Sequence, residues 1–428
     1  MTRGPGVSYG GRAPGPATAA ADAARPSRRN GADPRHGTPP LAMATARGTQ
    51  TLRESLSECV PQSQKLMAYF FASLFVRRPE LRRMFPPALG AHGQRVFSTL
   101  VRYAWTADTP EALAGWLSEL ARDHRKFGVI ESHYEPFCDV LLTAVRAFSV
   151  PAWSPETEAA WEDALVHIAA IMTEATREAA DEPAWWLAEV TGHERRGPDV
   201  AVLTLRPGPP LDYLPGQHVS VQVPQWPRTW REYSVANAPS PDGLLRLHVR
   251  AIAGGLVSNV LVQQSQPGDT VLLGRARGNV TADTVGTDKV VCLAGGTGLS
   301  QVKAIAQALT GPDHGSAGTA AARRPQVQLF VGARREADLY DLADLRCLER
   351  SSANLTVVPV VSDEPDYPGL RGTLADVAGQ LPAATPHVII SGPAGMVAET
   401  AARASARAPG ALIRFDPPTV TGSISSPA

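Results

Sequence analysis

Four cysteines in 428 residues, Cys59, Cys138, Cys292 and Cys347, are too few and too scattered to staple a fold. With no C-x-x-C pair among them, the chain offers no disulfide framework, no zinc site and no thiolate run for a plant-type iron–sulfur cluster, and it fits a reducing compartment. An excess of one charge is also lacking, since 41 Lys plus Arg balance 41 Asp plus Glu. That excludes the electrostatic footprint of a nucleic-acid or membrane-surface partner and favours a compact substrate. No apolar run approaches the roughly 18 residues of a membrane helix. The basic N-terminal stretch has no apolar segment of the kind a secretory or twin-arginine signal needs, so a cytoplasmic protein is expected. Residues 1–48 lack large apolar side chains almost entirely and are expected to be a disordered extension, with Met43 a candidate start just before the first helical pattern.

The length implies two to four domains, and the pattern resolves three. From Leu52 to about Ala180 apolar residues recur at helical spacing, as in Leu66, Phe70 and Leu74 or Phe97, Leu100, Val101 and Ala104, which predicts an all-α domain of five or more helices. Leu113, Trp116, Leu117, Leu120, Ala121 and His124 share one helix face, so His124 sits at the end of an apolar stripe. An imidazole there is either a core histidine satisfied by a hydrogen bond or a ligand; either way it needs a partner.

After the Asp181-Glu182-Pro183 break the period changes from 3.6 to 2. Val202 to Leu205, then Val219, Val221 and Val223, then Leu245, Leu247 and Val249 alternate between Pro and Gly clusters, as in a small antiparallel barrel. Within it, Arg231-Glu232-Tyr233-Ser234 brings together a cation suited to a pyrophosphate, a ring that can lie flat on an isoalloxazine and a hydroxyl for the ring edge. Alone, the segment reads equally well as an exposed edge strand. Further on, Gly254-Gly255-Leu256-Val257-Ser258 places glycines ahead of a helix, where free N–H groups at its positive end suit a pyrophosphate, or else a plain hairpin turn. The two segments together point to a flavin site formed by Arg231, Tyr233, Ser234, Gly255, Val257 and Ser258.

The last third alternates strand and helix, starting with the apolar run Val290 to Ala294 and the turn Gly295-Gly296-Thr297-Gly298, which requires a parallel sheet covered on both faces. The fingerprint Gly296-x-Gly298 is incomplete, because Gln301 occupies the third glycine position. Ser391-Gly392-Pro393-Ala394-Gly395-Met396 marks a second strand end, and ligands bind such sheets at the carboxyl ends of the strands. Gly311 to Arg324 reads as a flexible surface loop without chemistry.

These segments carry two resemblances. Arg77-Arg78-Pro79-Glu80-Leu81 with Phe85, Asp123-His124-Arg125-Lys126-Phe127-Gly128-Val129, His133-Tyr134 and Ala160-Trp161 resemble the globin domain of flavohaemoglobins. Residues 184 to 416 resemble the ferredoxin reductase superfamily, through the segments at Arg231, Gly255, Gly295 and Gly392. The resemblance implies haem b with His124 as iron ligand, Tyr134 hydrogen-bonding nearby and Phe85 against the porphyrin. It implies FAD on the barrel and a nicotinamide dinucleotide over Gly295, Gly296, Thr297, Gly298, Gly392 and Pro393. NADH is favoured over NADPH, because Asp338-Leu339-Tyr340-Asp341 after Gly332-Ala333-Arg334 resembles NADH-using reductases, although Arg334 and Arg335 could hold a 2′-phosphate.

The chain departs from the family in places. Phe71 stands for the usual distal Tyr and His92 for the usual Gln, Glu174 and Glu178 are candidates for the proximal acid, Ser391 replaces a common Cys, Ser300-Gln301 replaces Thr-Pro, and Phe415 is an ambiguous C-terminal aromatic. The expected domains are a disordered extension (1–48), a globin domain (49–182), an FAD-binding barrel (183–286), a nucleotide-binding α/β domain (287–417) and a disordered tail (418–428). The implied function is electron transfer from NAD(P)H through FAD to a haem iron that binds O2 or NO, as in nitric oxide dioxygenases. The other expectations are a haem-based gas or redox sensor reset by its reductase half, and a flavin reductase or organic-acid dehydrogenase with the globin as electron sink.

Overall fold

The computed structural model describes residues 46–86, 88–107, 109–286, 289–311 and 324–416. The expected N-terminal extension up to residue 45, the tail from 417 and most of the Gly311–Arg324 loop lie outside the described residues.

Six helices build the first domain: α1 (Ala46–Cys59), α2 (Ser63–Arg77), α3 (Gly90–Thr106), α4 (Pro110–His124), α5 (Tyr134–Phe148) and α6 (Pro155–Glu178). Their stripes close on one core around Leu56, Leu66, Phe70, Leu74, Phe97 and Leu117. Trp161 of α6 is buried there, and its indole N–H donates to Ser55 Oγ at 2.9 Å, which a buried donor requires. Pro110 opens α4, where its missing N–H does no harm. Soon after His124, Gly128 adopts φ 80°, a left-handed turn that disfavours a β-carbon, and the chain reverses so that α4 and α5 both pack on α6.

The second domain is an antiparallel six-stranded sheet of β1 (Trp186–Arg195), β2 (Val200–Gly208), β3 (His218–Gln222), β4 (Arg231–Ser234), β5 (Leu245–Arg250) and, after helix α7 (Leu256–Gln263), β6 (Thr270–Leu273). The order is β4-β3-β6-β1-β2-β5, and a bridge between Val235 and Leu247 joins its ends into a nearly closed barrel. Strand β6, four residues long, has no clear signal in the sequence pattern.

In the third domain β7 (Val290–Gly295), α8 (Leu299–Thr310), β8 (Val327–Ala333), α9 (Leu342–Arg350), β9 (Leu355–Val361), β10 (Leu370–Arg371), α10 (Leu374–Ala378), β11 (His387–Ser391), α11 (Ala394–Arg407) and β12 (Leu412–Arg414) form a parallel sheet of order β10-β9-β8-β7-β11-β12. Strand β7 is buried along its whole length, which explains its unbroken apolar run. The strand order reverses there, so the turns following β7 and β11 meet at the place where such sheets bind ligands. Among the described residues the apolar clusters of the helices and of the barrel stay apart, while one of the two flanking the parallel sheet also takes in Val280, Ala282 and Val285 from the connection between β6 and β7.

Candidate active site

His124 ends α4, half-buried beyond the fully buried Leu113, Leu117 and Ala121. Burial pushes its imidazole down to about 4; Asp123 pulls the other way, while Lys126 and Arg277 push it further down. At neutral pH the ring is therefore uncharged and has a lone pair to give, the state that ligates iron.

Phe71 of α2, Phe85 and His92 of α3 form an aromatic group, with ring centres 5.4 Å apart for Phe71 and Phe85 and 5.2 Å for Phe85 and His92. Phe71 is buried and stacks on Phe75. Arg95 Nη2 lies 3.1 Å from His92 Nδ1. Since a guanidinium only donates, Nδ1 is the acceptor and the ring proton sits on Nε2. Burial first, then Arg95 and His124, hold His92 at about 4, so it too is neutral. A neutral imidazole that can ligate, a second ring carrying an N–H donor and an aromatic lining make a set that fits haem.

Tyr134 opens α5 and is buried. Its hydroxyl lies 3.1 Å from Thr176 Oγ1, and Thr176 donates its own proton to Met172 O at 2.8 Å, so Tyr134 is the donor of this pair. The expected acids are elsewhere: Glu174 pairs with Arg177, and Glu178 with Arg122 at 3.0 Å. They stand two residues to either side of Thr176, on the opposite face of α6. The partner of Tyr134 is a neutral hydroxyl, which corrects the expectation of a carboxylate from Glu174 or Glu178.

On the barrel, Arg231, Tyr233 and Ser234 occupy β4, with Tyr233 opposite Val219 of β3. Arg231 is exposed and donates to Trp230 O at 2.8 Å, while burial raises the Tyr233 phenol and keeps it protonated. At the start of α7, Val257 is buried and Ser258 is buried with its hydroxyl unpartnered among the described residues. A β-carbon on Gly255 would come within 2.4 Å of that hydroxyl. An orphaned hydroxyl beside unpaired N–H groups at a helix start suits a phosphate, so the residues fit FAD. Arg231→Ala should weaken FAD binding by about 1.5–3 kcal/mol, roughly ten- to over a hundredfold. An unchanged FAD dissociation constant by fluorescence titration would remove Arg231 from this role.

In the third domain Gly295 ends β7 and Gly296, Thr297 and Gly298 turn into α8. A β-carbon on Gly298 would lie 2.4 Å from Gly392 N and 2.5 Å from Ser391 C, so the turns after β7 and β11 touch backbone to backbone. Together with Pro393, which precedes α11, they form one floor that fits a dinucleotide. Arg334 and Arg335 are exposed at the end of β8. Tyr340 and Asp341 serve the fold instead: Tyr340 meets His248 Nδ1 of β5 at 3.0 Å, and Asp341 accepts from Lys303 at 2.6 Å. Gln301 donates to Gly216 O at 3.1 Å and to Asp416 Oδ2 at 2.5 Å. Asp416 thus meets α8 through Gln301, while Phe415 is exposed.

Sequence reasoning missed Thr176, Arg95, Asp123 and Lys126. Asp123 is buried, its carboxylate 2.7 Å from Lys126 and 3.4 Å from Arg277; burial opposes ionisation, but the two cations outweigh it and hold the carboxyl below its usual value. The only available signal was that two charged residues flank His124.

Residues 68–172 match the Globin family, 188–281 the Oxidoreductase FAD-binding domain family and 292–402 the Oxidoreductase NAD-binding domain family. The chain is 29% identical over 354 residues to a flavohemoprotein of Deinococcus radiodurans, covering 76% of this chain and 84% of that protein. It is 29% identical over 301 residues to a flavohemoprotein of Bordetella pertussis, covering 66% and 72%. The crystal structure of flavohemoglobin from Malassezia yamatoensis with bound FAD and heme superposes with a TM-score of 0.68 at 17% identity, over 87% of this chain and 99% of that one, which shows a shared fold.

Proposed function

We propose that the chain, a globin joined to FAD-binding and NAD-binding oxidoreductase domains, is a flavohaemoglobin and an NAD(P)H-dependent oxidoreductase of the nitric oxide dioxygenase type. The observation that carries this reading is the neutral His124 in the helical domain lying against the flavin strand: Phe127, three residues on, meets Trp230 with ring centres 6.3 Å apart, and Arg231 follows directly. When bound, NAD(P)H, FAD and haem supply hydride, single-electron and diatomic-ligand chemistry. The protein aligns them. His124 would offer its lone pair to iron, and Phe71 and Phe85 would line the haem pocket and keep water out. Arg231, Gly255, Val257 and Ser258 would hold the FAD pyrophosphate, with Tyr233 on the flavin ring and Ser234 at its edge. Gly295 to Gly298 with Gly392 and Pro393 would seat the nicotinamide dinucleotide, with NADH favoured.

The domains run from 49 to 182, 183 to 286 and 287 to 417, and the protein works in the cytoplasm on O2 and NO. No helix among the described residues is long and apolar enough to cross a membrane. The test is NADH oxidation by full-length protein loaded with haem and FAD, in air, with and without nitric oxide. NO-dependent oxidation with nitrate formation is expected; its absence in fully loaded protein would sink the reading.

With Phe71 unable to donate, His92 Nε2–H would be the donor available to a diatomic ligand. His92→Leu should speed dioxygen release about ten- to over a hundredfold, since one hydrogen bond to a charged group contributes about 1.5–3 kcal/mol. Phe71→Tyr should slow it. A stopped-flow release rate unchanged in His92→Leu would show that His92 does not contact the ligand.

A further inference from the structure

Lys126 lies two residues past His124, its side chain only 4% exposed. Its ammonium donates to Asp123 Oδ1 at 2.7 Å in its own domain and to Ser220 Oγ at 2.8 Å on β3 of the barrel. The same nitrogen stands 5.2 Å from the ring centre of Phe127 and 5.2 Å from that of Trp230, one ring from each domain. A buried ammonium is tolerated only when its donors are matched. Here a carboxylate, a hydroxyl and two aromatic rings match them, half from each side of the seam. The barrel makes room with Gly274, where a β-carbon would lie 2.2 Å from Ser220 Oγ and 3.3 Å from Lys126 Cδ. From Asp123 the contacts continue through Arg277 at 3.4 Å to Glu232, which Arg277 meets at 2.5 Å and which sits between Arg231 and Tyr233.

We propose that Lys126 is the latch that docks the helical domain on the barrel and so fixes the end of α4 against β4. The proposal rests on the flavohaemoglobin reading, and Lys126 is a positioning residue in it. Exposed ion pairs contribute little, but this one is shielded and its partners come from both domains. A shift of the ammonium is felt at His124 through Asp123, its neighbour in the chain, and at Tyr233 through Arg277 and Glu232. Single-electron transfer falls steeply with separation, so loosening this seam should slow electron arrival at the iron. Hydride transfer, which involves the barrel and the α/β domain only, should not change.

Lys126→Met keeps the stem between the two rings and removes the charge. In full-length protein with haem and FAD bound, haem reduction by NADH should slow by about tenfold or more, because breaking a buried pair destabilises the docked arrangement. NADH-driven ferricyanide reduction, haem content and FAD content should be unchanged. Amide hydrogen exchange in peptides spanning 119–130 and 226–232 should accelerate, a readout independent of turnover. Gly274→Ala, made on the other domain, should reproduce both effects more weakly, and it carries the test if Lys126→Met does not fold. Unchanged haem reduction and unchanged exchange would overturn the latch. If wild-type protein binds both cofactors and never reduces its haem, the functional reading fails instead, and hydrogen exchange still decides the latch.

Discussion

His124→Ala should yield a chain that keeps its FAD, reduces ferricyanide with NADH and holds no haem. The helical domain has one neutral imidazole at the end of an apolar stripe, held at about 4 by burial and so ready to ligate. The imidazole beside Phe71 and Phe85, His92, has Nδ1 occupied by Arg95 and carries its proton on Nε2, so it cannot substitute without losing that arrangement. The apolar cores of the barrel and of the α/β domain contain no residue of the helices, so the loss should stay local. The measurement is the ratio of haem to protein, with FAD content as internal control. A variant with the wild-type haem spectrum would remove His124 as the ligand.

The second large effect is expected at Gly298. An added β-carbon there would meet the backbone of Ser391 and Gly392 at 2.4–2.5 Å, and backbone cannot rotate aside as a side chain can. The two strand ends must part, and overpacking of this kind costs about 1–3 kcal/mol. All of it falls on the dinucleotide floor, so Gly298→Ala should raise KM for NADH roughly ten- to a hundredfold while FAD content stays the same. Gly296→Ala is the comparison: nothing lies within 4 Å of its β-carbon, but φ is 54°, so the expected cost is conformational, about 1–2 kcal/mol. If Gly298→Ala binds NADH like wild type, the two turns do not form one floor.

Most of the fold was legible because each domain repeats one period: 3.6 in the helices, 2 in the barrel, and alternation of the two around the buried run at Val290. The place of His124 was legible for the same reason, since it falls on a stripe and ends α4. What escaped depends on partners far away in the chain. Lys126 and Asp123 stood in the segment around His124 with no role assigned, because the partner of Lys126 on β3 comes 94 residues later. Thr176 was passed over because the expectation was an acid, and acids two positions to either side drew attention that belonged to the face between them. Tyr340 looked like nucleotide chemistry and instead ties β5 to the α/β domain, 92 residues back. The short strands β6 and β10 carry too few residues to show a period at all.

That no apolar cluster of the described residues joins the helices to the barrel bears on ancestry. Apart from the contacts of Phe127 and of the Lys126 ammonium with the Trp230 ring, the ties described across the seam between helices and barrel are ion pairs and hydrogen bonds: Lys126 with Ser220, Arg277 with Asp123, Arg228 Nη1 with Arg83 O at 2.9 Å. Separating the halves at residues 181–183 would bare the two rings Phe127 and Trp230 among charged and polar groups that water can satisfy. Two genes encoding such parts can be joined in a single event and yield a well-behaved product at once, with the polar ties refined afterwards. The barrel can likewise change its helical neighbour over generations without rebuilding its own interior.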